Sequence, residues 1–187
     1  MKTKKLAVLF SGTGSNFAYI LEHLHLKGFE VVVAICNRSD AKGIAFAKSY
    51  DIPLEIIESK GFTRREDFDT QLVETLGRYT PDLTILAGFM RILTPVFTEH
   101  IVSINLHPSL LPRHKGLHAI RKSYEDSYDL GGVTVHWVSS ELDAGEIILQ
   151  RSIQKQGMDL EAYTRTVGRI EKEVLIEAIQ QIFEDNK

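Results

Sequence analysis

The chain has 187 residues, of which 43% are hydrophobic and 25% are charged, the proportions of an ordinary globular protein with one sizeable core. A net charge of -3 gives no overall basic field for nucleic acid. No apolar run approaches the ~18 residues of a membrane span, and the run 6–10 is too short for a signal sequence. We therefore expect a cytoplasmic protein with one domain over residues 1–187, and neither a membrane nor a nucleic-acid partner.

Short apolar runs alternate with amphipathic segments in the first half of the chain. The apolar runs predict buried strands at 6–10, 29–36, 53–57, 83–87 and 101–106. The amphipathic segments predict helices at 17–27, 41–50 and 63–79. Gly28 predicts the end of the first helix, and Thr94-Pro95 predicts the start of a short one. This alternation is typical of βαβ units, so we predict an α/β fold with a doubly wound, mostly parallel sheet.

The pattern changes after Pro112. A helix is predicted to follow 116–118 and to reach about 127, and a long amphipathic helix is predicted over 160–183. Between them the sequence predicts two strands, at 132–138 and 147–153. Their connection is short and rich in turn residues, which suits antiparallel pairing. We therefore expect an antiparallel element near the C-terminal part of the sheet.

The loop Ser11-Gly-Thr-Gly-Ser-Asn16 joins the first predicted strand to the first predicted helix. Its glycines let backbone N–H groups turn toward a ligand, and the helix N-terminus adds partial positive charge. The third glycine position of the dinucleotide fingerprint holds Phe17, and no Gly-Lys-Ser/Thr follows. The loop therefore predicts a phosphate site for a mononucleotide-like ligand rather than for NAD or ATP, and a plain Gly-rich turn is the alternative.

Polar loops follow three of the predicted strands. They lie at 11–16, 88–93 and 105–107. Because the carboxyl ends of parallel strands meet at one edge of a sheet, where ligands bind, we expect these loops to converge.

Asn105 and His107 lie two positions apart on a strand that Pro108 ends, so their side chains point to the same face. Asp143, in the turn Leu142-Asp-Ala-Gly145, is a carboxylate suited to orienting the imidazole. No nucleophile accompanies them, because Cys36 lies in a strand interior and no Gly-x-Ser-x-Gly elbow is present. The set predicts direct transfer between two bound substrates, with donors stabilising an oxyanion. A buried structural Asn-x-His pair is the alternative.

A metal site is the competing use of the seven histidines. No histidine pair combines His-x-x-x-His or His-Glu-x-x-His spacing with an acid in register. A site built from His107, His118 and Asp143 is the remaining arrangement. We expect no metal.

Six segments resemble, in the same order, those of the phosphoribosylglycinamide (glycinamide ribonucleotide) formyltransferases, a folate-dependent formyltransferase family. They are Ser11-Gly-Thr-Gly-Ser-Asn16, Ala87-Gly-Phe-Met-Arg-Ile-Leu93, Ile104-Asn-Leu-His-Pro-Ser-Leu-Leu-Pro112, Gly116-Leu-His118, Val133-Thr-Val-His136 and Leu142-Asp-Ala-Gly-Glu-Ile-Ile148. The resemblance implies a Rossmann-like formyltransferase fold. It also implies transfer of the formyl group of 10-formyltetrahydrofolate to the amine of glycinamide ribonucleotide, in purine biosynthesis. The folate would be a co-substrate beside no tightly bound cofactor, in a monomer or homodimer.

The resemblance also implies roles for individual residues. Ribonucleotide binding is implied for Gly14, Ser15, Asn16, His136 and Glu171. Folate binding is implied for Arg65, Met90, Arg91, Ile92, Leu93 and Asn105. Asn105 and His107 would stabilise the oxyanion, and Asp143 would orient His107 and help carry the proton. Lys115 departs from the family, which usually has Pro there, and this bears on the rigidity of its loop.

Related functions share the Asn, His and Asp positions. A methionyl-tRNA formyltransferase would be expected to carry a further C-terminal domain. A formyltetrahydrofolate hydrolase would be expected to carry an N-terminal regulatory domain and would not need the phosphate loop. A sugar-nucleotide N-formyltransferase is a third alternative, because phosphate and amine recognition overlap. A non-catalytic nucleotide-binding module would leave Asn105, His107 and Asp143 unexplained together.

Overall fold

The computed structural model of the protein describes residues 3–184. The strands are β1 (Lys4–Phe10), β2 (Phe29–Cys36), β3 (Leu54–Ile56), β4 (Leu83–Leu86), β5 (Ser103–His107), β6 (Leu130–Trp137) and β7 (Ile147–Gln154). The helices are α1 (Ser15–His23), α2 (Ile44–Ser49), α3 (Arg65–Tyr79), α4 (Pro95–Thr98), α5 (Ala119–Glu125) and α6 (Leu160–Glu184), with a short 3-10 helix at Ser59–Gly61. The seven strands form one sheet in the order β3-β2-β1-β4-β5-β6-β7. The predicted doubly wound α/β sheet is confirmed.

The first compact unit extends to Ile104. In it β1 pairs in parallel with β2 and β4, and β2 pairs in parallel with β3. The apolar part of β1, from Leu6 to Phe10, is fully buried, which explains why its sequence is continuously apolar rather than alternating. Cys36 ends β2 with a buried side chain, and its thiol donates to the Arg38 carbonyl over 3.2 Å.

The first helix ends earlier than its amphipathic pattern predicts. α1 stops at His23, because Leu26 takes a left-handed backbone (φ 60°) and its N–H donates to the Phe29 carbonyl over 2.8 Å. Gly28 (φ 90°) lies in the same turn, where its carbonyl accepts from the Lys4 N–H over 3.1 Å. This turn leads directly into β2. The prediction that Gly28 caps the helix is therefore wrong.

The second compact unit begins at Asn105. Its strands β6 and β7 pair antiparallel, which confirms the predicted antiparallel element. α6 packs on both strands and buries Tyr163. A Cβ atom at Gly131 would lie 1.9 Å from the Tyr163 hydroxyl, so β6 needs glycine there. That hydroxyl pairs with Ser123 Oγ at 3.0 Å and so has a partner in the core.

The chain thus divides into two compact units, and one domain over residues 1–187 stays a prediction. Among residues 3–184, no helix combines the length and the apolar content that crossing a membrane requires.

Candidate functional site

A cavity of about 460 Å³ lies in the first unit, where four strands end. It is lined by residues 11–16, Asn37, Arg38, Ser59, 87–88 and 90–91. The loops after β1 and β4 are joined there, because the Ser11 N–H donates to the Gly88 carbonyl (3.1 Å) and the Met90 N–H donates to Ser11 Oγ (2.8 Å). Two of the three loops predicted to converge therefore meet. Their convergence with 105–107, which belongs to the other unit, stays a prediction.

Gly14 shapes the loop that forms one wall of this cavity. It immediately precedes α1 with a left-handed backbone (φ 70°), and a Cβ atom there would lie 2.6 Å from the Gly43 Cα. The Gly43 N–H donates to the Gly12 carbonyl over 3.0 Å. This backbone contact holds 41–43 in turns, so α2 begins at Ile44 and not at 41 as predicted. A helix leaves its first amides without intrahelical partners, so α1 brings unpaired N–H groups and partial positive charge to the wall.

Two asparagines in the wall have a buried oxygen without a partner. Within residues 3–184, neither Asn16 Oδ1 nor Asn37 Oδ1 has a hydrogen-bond donor. A buried polar atom that lacks its hydrogen bond costs about 1–3 kcal/mol. A ligand that supplied a donor to either oxygen would therefore recover part of that cost. Arg91 Nε is also buried without a partner, and its guanidinium lies 5.2 Å from the centroid of the Phe68 ring.

The structure separates the predicted binding residues of the first unit into two groups. Those that line the cavity are Gly14, Ser15, Asn16, Met90 and Arg91. The others lie outside its lining: Arg65 is exposed at the start of α3, Ile92 is exposed and Leu93 is buried. Their folate contacts stay predictions.

Sequence reasoning missed three residues of the cavity wall. Asn37 and Arg38 follow the end of β2, and Ser59 follows β3. The available signal was their position after parallel strands, the same signal that identified the other loops. Arg38 is already paired with Asp40, through hydrogen bonds of 3.0 and 2.8 Å.

Asp143 is the centre of a polar cluster in the second unit. Its Oδ1 accepts from Asn105 Nδ2 over 3.3 Å, and its Oδ2 accepts from the Gly116 N–H over 2.8 Å. His107 Nδ1 lies 3.4 Å from Oδ2, and His136 Nε2 lies 3.6 Å from Oδ1. The structure thus brings together the three residues to which the sequence assigns the chemistry, and it adds His136 to them. We call these four side chains the Asp143 cluster.

The surroundings of Asp143 keep it ionised. Burial acts to raise the pKa of this carboxyl, but its polar contacts with His136, the Gly116 N–H and His107 outweigh burial and lower it. The residue itself sits in a left-handed backbone (φ 48°) in the turn that the Asp-x-Gly pattern predicts. A Cβ atom at Gly145 would lie 1.7 Å from the Trp137 carbonyl. Glycine there lets the turn fold onto the end of β6.

Both ring nitrogens of His107 face acceptors. Its Nε2 donates to the His114 carbonyl over 2.8 Å, and its Nδ1 faces the Asp143 carboxylate. The ring is 5% exposed, so it is held in place rather than mobile in solvent. No sequence signal pointed to His114, because its contribution comes from the backbone.

His136 and Asn105 fix each other's orientation. His136 Nδ1 donates to the Trp137 carbonyl over 2.9 Å, which leaves its Nε2 to accept from Asn105 Nδ2 over 3.2 Å. The amide of Asn105 therefore directs its two N–H groups to His136 and Asp143. His136 is only 2% exposed. This geometry fits an orienting role, and direct contact of His136 with the ribonucleotide stays a prediction.

Glu171, on α6, differs from Asp143 in having no hydrogen-bond donor among residues 3–184. Burial raises its pKa to about 7, and the neighbouring charge of Lys172 opposes this only in part. Its role as a ribonucleotide contact stays a prediction.

For the metal question, no three His, Cys, Asp or Glu side chains in the described part of the chain are placed to hold an ion. His118, the third ligand of the alternative site, precedes α5 in a left-handed backbone (φ 62°).

The sequence and the fold of this chain are similar to those of known proteins. Residues 4–179 match the family model described as formyl transferase. The phosphoribosylglycinamide formyltransferase of Escherichia coli (strain K12) is 39% identical over 153 residues, which are 79% of this chain and 72% of that protein. The bovine trifunctional purine biosynthetic protein adenosine-3 is 34% identical over 186 residues, 97% of this chain but 18% of that protein. The crystal structure of phosphoribosylglycinamide formyltransferase from Campylobacter jejuni has a TM-score of 0.95 at 49% identity, over 96% of this chain and 97% of that one. The chain therefore belongs to the formyl transferase family, and its relatives from Escherichia coli and Campylobacter jejuni are phosphoribosylglycinamide formyltransferases.

Proposed function

We propose that this enzyme performs formyl transfer with the Asp143 cluster and holds the substrate phosphate at the 11–16 loop. The reaction passes the formyl group of 10-formyltetrahydrofolate to the amine of glycinamide ribonucleotide, in purine biosynthesis. The observation that carries the proposal is the meeting of Asn105, His107 and His136 at one buried, ionised carboxylate. The cluster holds no Ser, Cys or Lys nucleophile, which fits direct attack of one substrate on the other.

The phosphate assignment rests on the backbone of the first unit. Gly14, Ser15 and Asn16 line the cavity at the start of α1, where unpaired amides and the helix dipole favour an anion. The cavity of about 460 Å³ is within the range of small-molecule sites.

The chemistry assigned to the cluster balances without an added reagent. The amine nitrogen attacks the formyl carbon, a C–N bond forms, and the carbonyl electron pair moves to oxygen. Asn105 and His107 stabilise this oxyanion by donating hydrogen bonds. The intermediate collapses as the bond from the formyl carbon to N10 of the folate breaks. One proton leaves the amine and one reaches N10, so Asp143 and His107 relay a proton with no net gain or loss.

The lengths of the contacts in the Asp143 cluster suit this exchange of partners. The Asn105 and His107 contacts to Asp143 are 3.3 and 3.4 Å, at or beyond the long end of protein hydrogen bonds. Catalytic hydrogen bonds are often long before substrate binds and tighten in the reacting complex. The oxyanion would therefore take up donors that the free enzyme holds only weakly.

We assign the folate to the loop Met90, Arg91, Ile92 and Leu93, together with Arg65. A folate contact of Asn105 stays a prediction. Met90 and Ile92 are 67% and 54% exposed, and a planar ring bound there would bury their apolar side chains. The exposed Arg65 offers a cation to an anionic group. We further propose that no cofactor is held between turnovers, and that the enzyme acts in the cytoplasm as a monomer or homodimer.

The deciding experiment is an assay with 10-formyltetrahydrofolate that follows the appearance of the deformylated folate. We expect turnover with glycinamide ribonucleotide. Parallel reactions contain an amino-sugar nucleotide or no amine. Product formed only with the amino-sugar nucleotide, or equally without any amine, would replace the proposed function by sugar-nucleotide formylation or folate hydrolysis.

A further inference from the structure

The segment 113–116 of the second unit supports the Asp143 cluster with its backbone. The His114 carbonyl accepts from His107 Nε2, and the Gly116 N–H donates to Asp143 Oδ2, each over 2.8 Å. The Arg113 carbonyl accepts from Ser109 Oγ over 2.6 Å. A shift of this segment would therefore move a partner of both His107 and Asp143 at once.

The backbone of this segment is not relaxed. His114 and Gly116 both have left-handed conformations, with φ of 57° and 74°. Gly116 adopts this at no steric cost, but His114 carries a Cβ atom that disfavours it. Strained residues of this kind persist only where their surroundings hold them.

Asp126 holds His114 from the far side of the segment. Its Oδ2 lies 2.5 Å from His114 Nε2 and 3.5 Å from Arg113 Nη1. Its Oδ1 accepts from Lys155 Nζ over 2.7 Å and from the Tyr128 N–H over 3.0 Å. One carboxylate thus joins the segment to Tyr128, in the loop after α5, and to Lys155, directly after β7.

Lys155 makes this anchor rigid. Its ammonium also reaches the carbonyl oxygens of Ser123, Tyr124 and Asp126 at the end of α5, over 2.8, 3.3 and 3.1 Å. The side chains of Lys155 and Asp126 are 9% and 12% exposed. Solvent therefore screens the pair little. Burial acts to raise the pKa of Asp126, but the hydrogen bonds from Lys155 and His114 outweigh it and lower the value to about 2. The anchor is ionised throughout the working range of an enzyme.

From this geometry we infer that Asp126, held by Lys155, is a positioning residue that fixes the 113–116 segment through His114 and thereby keeps His107 and Asp143 in working orientation. The inference rests on the proposed function, in which His107 and Asp143 act on the substrates. Asp126 itself touches neither side chain. Its effect should fall on the chemical step and leave substrate binding almost unchanged.

The first test replaces the link and leaves the Asp126–Lys155 pair intact. For His114→Ala we expect kcat to fall by about 10-fold, with both KM values within about 3-fold. His114→Gln, whose terminal amide places a donor near the former Nε2, should recover most of kcat. Arg121→Ala is the control, because Arg121 lies on α5 and its exposed side chain pairs with the exposed Glu125 at 2.7 Å, and it should retain full activity. Wild-type kcat in His114→Ala, or no recovery in His114→Gln, would overturn the inference.

A second variant tests the coupling. Asp126→Asn should lower kcat like His114→Ala, and the double variant should lose no more than either single one, because both break the same link. Additive losses would show that the two residues act separately and would contradict the inference.

A third measurement does not depend on turnover. The Nε2 proton of His107 is followed by NMR in wild type, His114→Ala and Arg121→Ala. We expect its resonance to shift, and its exchange with water to speed up, in His114→Ala only. If wild type does not formylate glycinamide ribonucleotide, the proposed function fails, whereas an unchanged His107 resonance in His114→Ala would refute the positioning role itself.

Discussion

The cavity of the first unit and the Asp143 cluster of the second are built on opposite principles. The cavity wall presents backbone amides and leaves the buried Oδ1 atoms of Asn16 and Asn37 without partners. In the cluster, no buried side-chain atom lacks a partner, and the Asp143 carboxylate is surrounded by four groups. Unpaired polar atoms gain hydrogen bonds when a ligand binds, whereas the side chains of a fully paired cluster are already oriented before the ligand binds. The first region thus suits recognition, and the second suits chemistry.

The largest expected effect comes from substituting a side chain of the Asp143 cluster. His107→Ala and Asp143→Asn should each lower kcat by about 100-fold or more, because each removes a donor or the carboxylate that orients it. KM for glycinamide ribonucleotide should change much less. Steady-state kinetics at saturating folate measures both.

The matched control for these variants is His100→Ala. His100 is an exposed histidine whose Nδ1 lies 2.9 Å from the Val96 carbonyl in the first unit, and its loss should leave kcat unchanged. Near-native kcat in either cluster variant would remove that residue from the chemistry and weaken the distinction between the two regions.

The next effect is a loss of recognition. Gly14→Ala puts a methyl group 2.6 Å from Gly43 Cα in a left-handed backbone, so the loop must shift. We expect KM for glycinamide ribonucleotide to rise about 10-fold while folate binding survives, and the free energy of unfolding to fall by about 1–3 kcal/mol. Thermal unfolding and ligand titration provide the two measurements.

Gly12→Ala is the control for Gly14→Ala, because a Cβ atom at Gly12 meets nothing within 4 Å. It should change the free energy of unfolding by less than about 0.5 kcal/mol. Equal weakening of ribonucleotide and folate binding in Gly14→Ala would indicate general unfolding, and the cavity would lose its assignment as the phosphate site.

The smallest expected effect concerns two carboxyl groups of the second unit. Asp143 has hydrogen-bond donors around it, whereas Glu171 has none among residues 3–184. Burial gives Glu171 a pKa of about 7, above its unfolded value of about 4.3. The folded state therefore binds more protons between these values, and stability falls as pH rises from about 4.3 through 7. Glu171→Gln removes this cost, so its free energy of unfolding should exceed that of wild type by about 1–3 kcal/mol at pH 8 and by little at pH 5.

Urea unfolding of both proteins at the two pH values measures the difference. A gap that is the same at pH 5 and pH 8 would mean that Glu171 titrates normally. The contrast between the paired Asp143 and the unpaired Glu171 would then be lost.

The sequence predicted the parts of the fold and the site that depend on local pattern. Period-two spacing placed Asn105 and His107 on one face, and the Asp-x-Gly turn located Asp143. Gly28 misled the prediction, because a glycine with positive φ suits a turn into β2 as well as a helix end. Residue type alone does not distinguish these two uses.

What the sequence could not predict depends on contacts between distant backbones. The Gly43 N–H contact with the Gly12 carbonyl joins two distant backbones just before α2, which begins at Ile44 although the helical pattern starts at 41. The His114 carbonyl and the Gly116 N–H act as backbone atoms, so no side chain marks them. Such contributions become visible only when the path of the chain is known.

The reactivity of the single buried thiol, Cys36, can report local opening of the first unit. It is fully buried at the end of β2, directly before two residues of the cavity wall, and burial raises its pKa. Both properties suppress its reaction with a thiol reagent until this part of the first unit opens. Since the chain has one cysteine, the labelling rate counts those openings without any engineered tag. A ligand that fills the cavity should lower the labelling rate of Cys36 in proportion to its occupancy. The dependence of that rate on ligand concentration would then measure the affinity for the substrate.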